Sequence, residues 1–183
     1  MKLGILGGGQ LGRMLLQAAA NYDVTTYVLE KDAHCPAAHL CHHFTLGNIN
    51  DFDTVYEFGK DLDALTIEIE AVNIEALEKL EAKGVKVIPK PSAIRTIKNK
   101  ILQKQFYKDN EIPTAPFVIT QNTSELYQHL SLLPAVHKIA EGGYDGKGVQ
   151  IILNEKDIEK ILKMSNDLGH SLKTEIMNYL KKI

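Results

Sequence analysis

The residues best suited to chemistry lie in one stretch, Gly142-Gly143-Tyr144-Asp145-Gly146-Lys147-Gly148, with Lys138 four residues before it. Glycine at four of seven positions suits neither a core strand nor a helix, since each gives up backbone entropy and adds no packing. It suits a hairpin tip whose main chain bends sharply and comes close to something. Lys138 and Lys147 make that something an anion, because backbone N–H groups and ammonium groups together can wrap a polyphosphate. The plainer alternative is an exposed hairpin with a flexible tip, and the upstream lysine weighs against it.

A second glycine cluster opens the chain. Gly7, Gly9 and Gly12 match G-x-G-x-x-G, after the apolar run Leu3–Leu6 and before a helical pattern through Leu15, Leu16, Ala19 and Ala20. Such a turn lets backbone approach a phosphate at a helix N-terminus. Glu30 closes the next apolar run, where a dinucleotide binder keeps its ribose-binding acid. Taken alone, this favours NAD or FAD. The same turn also serves mononucleotide phosphates or tight strand–helix packing, and no oxidoreductase constellation accompanies it.

Glu68 and Glu70 alternate along an extended segment and so share one side of a sheet, at the strand end where open α/β sheets bind ligands. They read equally as solvated edge residues. Cys35, His39, Cys41, His42 and His43 invite a metal, with His39 and His43 at helical i, i+4 spacing, but no Cys-x-x-Cys pair supports one. His137 precedes Lys138 on a strand and points to the opposite face, as a packing or supporting residue.

The elements that must position these groups follow from periodicity. Strands are expected at Leu3–Leu6, Val24–Leu29, His43–Leu46, Ala64–Ile67 and Val85–Ile88. Between them come helices opened by Gly7–Gly12 and running through Ala20, over Asp51–Lys60 with Asp51 as cap, and over Asn73–Ala82. Alternation of this kind implies an α/β fold with a parallel sheet. Pro89-Lys90-Pro91 marks a boundary. Beyond it are expected one basic helix over Ser92–Asn110 with a solvated lysine face, a strand entered at Phe117, a helix over Thr123–Leu130, strands at Ala135–Ile139 and Val149–Leu153, and a helix from Glu155.

Composition fits an ordinary soluble enzyme. The 183 residues are 44% hydrophobic, and 21 Lys and Arg against 23 Asp and Glu give a net charge of −2. Nothing demands nucleic acid or a membrane surface as partner. Two cysteines are too few for a disulfide scaffold, and no run reaches the length of a membrane span, so the cytoplasm is expected.

Several spaced motifs together carry a resemblance: Gly4–Met14, Thr66-Ile67-Glu68-Ile69-Glu70, Gln103-Lys104-Gln105, Ile112–Pro116 and Gly142–Gly148. The chain to about Leu153 resembles the 5-(carboxyamino)imidazole ribonucleotide synthetases of purine biosynthesis, which are ATP-grasp ligases. The resemblance implies a Rossmann-like precursor domain over residues 1–90 that binds no dinucleotide. The first part of an ATP-grasp domain follows over 91–165. It implies ATP-dependent carboxylation of 5-aminoimidazole ribonucleotide with bicarbonate, through carboxyphosphate.

Carried over by position, Lys100, Lys138 and Gly143, Tyr144, Asp145, Gly146, Lys147, Gly148 and Val149 would bind ATP, with Asp145 and Lys147 catalytic. Gly9, Gln10, Leu11, Glu68, Glu70 and Tyr144 would meet the ribonucleotide. Lys100 stands where the family usually has Arg, keeping charge but losing the planar fork. Ala71 replaces the Asn that commonly follows the Glu-x-Glu pair, and Val149 intervenes before Gln150.

Synthetases of this kind are much longer. The resemblance therefore places Mg²⁺ ligands beyond Ile183, none within the chain, and makes these residues alone inactive. Residues 166–183 read as an atypical tail, an amphipathic helix through Leu168, Leu172, Ile176, Tyr179 and Leu180 that could drive homodimerisation. A non-catalytic nucleotide- or partner-binding module with the same fold is the alternative.

Overall fold

The computed structural model describes residues 1–141, 148–160 and 174–177. Two compact units emerge, Met1–Arg95 and Thr96–Ile183.

In the first unit, β1 (Lys2–Leu6), β2 (Thr25–Glu30), β3 (His43–Leu46), β4 (Ala64–Ile67) and β5 (Lys86–Ile88) form a sheet in the order β3-β2-β1-β4-β5. Every neighbouring pair is parallel. The apolar runs of β1 and β2 are explained by burial on both faces. Alternation sends Ile5 and Val28 to one side, against Leu16 of α1 (Gln10–Ala19), Cys35 and Ala37. Leu6 and Leu29 go to the other side, against Val55 of α2 (Phe52–Gly59) and Leu77 and Leu80 of α3 (Ile74–Ala82). Each such aliphatic side chain contributes roughly 1.5–3 kcal/mol.

Both expected helix starts are real caps. Asp51 accepts from the Thr54 N–H and Asn73 from the Ala76 N–H, each at 2.8 Å. The sheet order reverses direction at β1, so the carboxyl ends of β1 and β4 form the switch-point crevice where α/β proteins place ligands.

The expected single helix over Ser92–Asn110 is two, α4 (Pro91–Lys98) and α5 (Lys100–Asp109). Asn99 breaks it by adopting extended backbone, φ −106° and ψ 113°, and its side chain caps α5. Nor is the lysine face wholly solvated. Lys104 is buried, donates to the Thr114 hydroxyl, and lies 5.8 Å and 5.6 Å from the Tyr107 and Phe117 ring centres. A hydroxyl and two aromatic faces replace water around its ammonium group.

The second unit carries β6 (Phe117–Thr120), β7 (Ala135–Ile139), β8 (Val149–Ile152) and β9 (Thr174–Met177) in the order β6-β9-β7-β8, all pairs antiparallel. Leu126, Ala135, Ile152 and Ile158 form its core. The segment Thr123–Leu132 is a 3₁₀ helix kinked at His129 rather than an α-helix, and residues 155–160 are helical.

The helix expected through Leu168–Leu180 is overturned at its centre. Thr174–Met177 is β9, seated between β6 and β7, so ladder hydrogen bonds on both sides outweigh the local amphipathic spacing. Leu168, Leu172, Tyr179 and Leu180 lie outside the described residues. Among those described, no helix is long and apolar enough to cross a membrane.

Candidate functional site

The root of the second glycine loop is formed by β7 and β8. Lys138 stands opposite Val149, and the Ile139 N–H donates to the Gly148 carbonyl at 3.0 Å. Gly148 takes φ +74°, a left-handed turn that a side chain would oppose. Alternation along β7 puts His137 with Ala135 on the core face and Lys138 on the other.

α5 begins at the same place. The Lys100 N–H donates to the Ala140 carbonyl at 2.8 Å, two residues past Lys138. Asn99 caps the helix, its Oδ1 accepting from Ile101 at 2.9 Å and Leu102 at 3.0 Å, while its Nδ2 donates to Glu141 at 2.7 Å. The start of α5 at Lys100 is thus bonded to the chain two residues past Lys138, and both lysines, chosen from sequence, are half-buried. Asn99 and Glu141, which join them, were missed. Asn99 is a capping residue type between two lysines, and that signal was present. Gly143, Tyr144, Asp145, Gly146 and Lys147 lie outside the described residues.

The first glycine turn has different partners. The Gly8 N–H donates to Glu30 at 3.1 Å, Gly9 to Glu68 at 2.6 Å and Leu11 to Glu68 at 3.1 Å. The chain's own carboxylates therefore sit where a phosphate would meet the start of α1. Packing explains the glycines. Gly7 has φ +106°, and a Cβ there would lie 2.7 Å from the Glu68 Cβ; one on Gly9 would lie 2.5 Å from Glu68 Oε1.

β4 ends at Ile67, and residues 68–70 bend, so Glu68 and Glu70 do not continue the strand alternation that put them on one side. The Glu68 N–H still bonds the Leu6 carbonyl, at 2.8 Å, which aims its side chain at the turn. Glu70 and Gln10 are exposed.

Of the Cys and His residues, Cys35 is buried in the core, His42 and His43 have local partners, and His39 is exposed. Residues 33–41 lie in turns and bends and His43 starts β3, so the helical spacing of His39 and His43 is not realised. His42 Nδ1 accepts from the Thr26 N–H at 3.1 Å, and His43 stacks on Tyr27 with ring centres 4.4 Å apart. Burial raises the Cys41 thiol pKa, and neither cysteine is paired. Among the described residues no group of three or more His, Cys, Asp or Glu could hold a metal ion.

His137 is 3% exposed, its Nε2 has no hydrogen-bond partner, and burial lowers its pKa to about 4.

A parallel sheet with a glycine turn, followed by a lysine-bearing antiparallel hairpin, defines the class of protein. Residues 1–98 match the ribonucleotide synthetase preATP-grasp domain and residues 105–179 the ATP-grasp domain, so the chain belongs to the ribonucleotide synthetase preATP-grasp family, with ATP-grasp sequence following.

It is 37% identical over 148 residues to the N5-carboxyaminoimidazole ribonucleotide synthase of Brucella melitensis, covering 80% of this chain and 41% of that one. It superposes on N5-carboxyaminoimidazole synthetase from Staphylococcus aureus complexed with ADP at TM-score 0.87 and 28% identity, covering 98% of this chain and 47% of that one. The Aspergillus clavatus synthase in complex with ADP and 5-aminoimidazole ribonucleotide gives TM-score 0.81 and 30% identity, with coverage of 97% and 46%. The chain thus spans less than half the length of the relatives it matches.

Proposed function

We propose that the chain supplies the preATP-grasp domain and the first ATP-grasp elements of an enzyme that carboxylates 5-aminoimidazole ribonucleotide with bicarbonate at the cost of ATP, in the cytoplasm. The observation that carries this is the main-chain bond from the Lys100 N–H to the Ala140 carbonyl, which brings the start of α5 to the end of β7, two residues past Lys138. Two lysines flanking a glycine-rich segment suit a polyphosphate in charge and residue type.

In this reading Lys100, Lys138, Gly148 and Val149, with Gly143–Lys147, hold the ATP phosphates. ATP phosphorylates bicarbonate to carboxyphosphate. The ribonucleotide amine attacks its carboxyl carbon, forming the C–N bond as the C–O bond to phosphate breaks and the amine loses a proton. Asp145 and Lys147 are assigned to that charge movement, with Tyr144 toward the ribonucleotide.

On the precursor side the reading assigns the ribonucleotide to Gly9, Gln10, Leu11, Glu68 and Glu70. Glu68 holds the turn in shape, which leaves the exposed Gln10 and Glu70 to meet the ligand. Mg²⁺, when bound, would offset charge developing on the phosphates, and among the described residues no group of three or more His, Cys, Asp or Glu is placed to hold it. Self-association belongs to the same reading, supported by Leu11 and Met14 exposed on the outer side of α1.

The test is ATP titration. A charge-assisted contact contributes about 1.5–3 kcal/mol, so Lys138→Met is expected to weaken ATP binding roughly ten- to hundredfold. His42→Ala should leave it unchanged. Equal effects from both would mean the site is elsewhere.

A further inference from the structure

We infer that Asn99 and Glu141 form a tether that sets the spacing of Lys100 and Lys138 for a nucleotide's phosphates; this rests on the nucleotide reading above. Capping α5 requires only the Asn99 Oδ1, which accepts from Ile101 and Leu102. The Nδ2 does something capping does not need. It reaches across to Glu141, forty-two residues along the chain, with a 2.7 Å hydrogen bond. The adjacent backbone bond, Lys100 N–H to Ala140 carbonyl at 2.8 Å, ties the same two points. One planar amide is therefore fixed at both ends, to the first turn of α5 through oxygen and to the end of β7 through nitrogen.

Residue type is specific here. Asp caps a helix as well as Asn but cannot donate to a carboxylate. Glu141 is otherwise oddly placed, since a carboxylate beside a polyphosphate loop repels the ligand's charge. Held by Asn99, it acts as the anchor that keeps the start of α5, and with it Lys100, at a set distance from Lys138. Asn99 and Glu141 are positioning residues: neither need touch the nucleotide.

The sign of the effect separates this from simple electrostatics. Deleting a negative charge near an anion site should tighten ATP binding; deleting an anchor should loosen it. ATP titration of the chain is expected to show Glu141→Ala binding roughly three- to tenfold more weakly, the scale of coupling between contacting residues. Glu141→Gln keeps an acceptor for the Asn99 amide and should restore affinity to the native value or better. Asn99→Asp keeps the cap, so its thermal midpoint should stay near native while ATP affinity falls as in Glu141→Ala. Native or tighter binding by Glu141→Ala, in a chain where Lys138→Met weakens ATP, would overturn the tether and leave the nucleotide reading standing. If Lys138→Met has no effect either, the reading fails and the tether with it.

Discussion

The two glycine turns look alike in sequence and differ in chemistry. At Gly7–Gly12 the amides face carboxylates, Glu30 and Glu68, and are already hydrogen-bonded. At the β7–β8 root the neighbouring charges are of both signs, Lys138 on β7 and Lys100 at the start of α5 with Glu141 beside them, on elements joined by main-chain bonds. Glycine spacing reports only that something comes close. What comes close at the first turn is decided by Glu68, fifty-nine positions away from its bonding partner Gly9. A dinucleotide pyrophosphate would have to displace that carboxylate to reach the Gly9 and Leu11 N–H groups.

The largest effect should come from the first turn. Gly7→Ala must place a Cβ at φ +106°, 2.7 Å from the Glu68 Cβ and 2.8 Å from its Oε2. Left-handed strain and overpacking together should cost about 3–4 kcal/mol in urea unfolding. If Glu68 is what the glycine accommodates, adding Glu68→Gly removes both the Cβ and the carboxylate from the clash, and a double-mutant cycle will show strong coupling. Additive losses would mean that the left-handed backbone alone requires Gly7 and that Glu68 does not shape the turn, so the contrast between the two turns would fail.

Next in size is a response to acid that belongs to the second unit. His137 carries a pKa of about 4 in the fold, against 6.5 unperturbed, because burial disfavours its charged form. The unfolded chain takes up the proton first, so stability is full above pH 6.5 and is lost as pH falls through 4. At 1.36 kcal/mol per unit the loss approaches about 3 kcal/mol. Urea midpoints measured from pH 7 to pH 4 should fall in the native chain and flatten in His137→Leu. The same slope in both would place the acid sensitivity elsewhere.

Much of the first unit was legible because its signals are local. Asp51 and Asn73 announced their helices, and short apolar runs alternating with helices implied the parallel sheet, whose central strands are buried on both faces. The failures are non-local. β9 exists because β6 and β7 offer ladder partners on either side, whereas its own residues space like a helix. Asn99 stops a helix that charge pattern alone would continue. Glu68 and Glu70 were read as a same-side pair, but the bend after Ile67 and the bonds to Gly9 and Leu11 give Glu68 a role that strand alternation could not foresee. At the candidate site, Lys100 and Lys138 were visible by type and position, and the residues that hold them together were not.

The smallest effect discriminates most finely, because the chain contains its own control. Asn73 and Asn99 are built alike. Each caps a helix through Oδ1, and each spends its Nδ2 on a distant segment: Asn73 on the Asn50 carbonyl at 3.1 Å, Asn99 on Glu141 at 2.7 Å. Replacing either by Ala removes a cap and should cost about 1 kcal/mol of stability. If Asn99 were only a cap, the two variants would behave the same in every assay. If its second bond sets the lysines, the stability losses will match while ATP affinity falls in Asn99→Ala alone. A comparable loss of ATP affinity in Asn73→Ala would show that general loosening of the fold, not the spacing of Lys100 and Lys138, governs nucleotide binding, and the contrast between the two turns would lose its functional meaning.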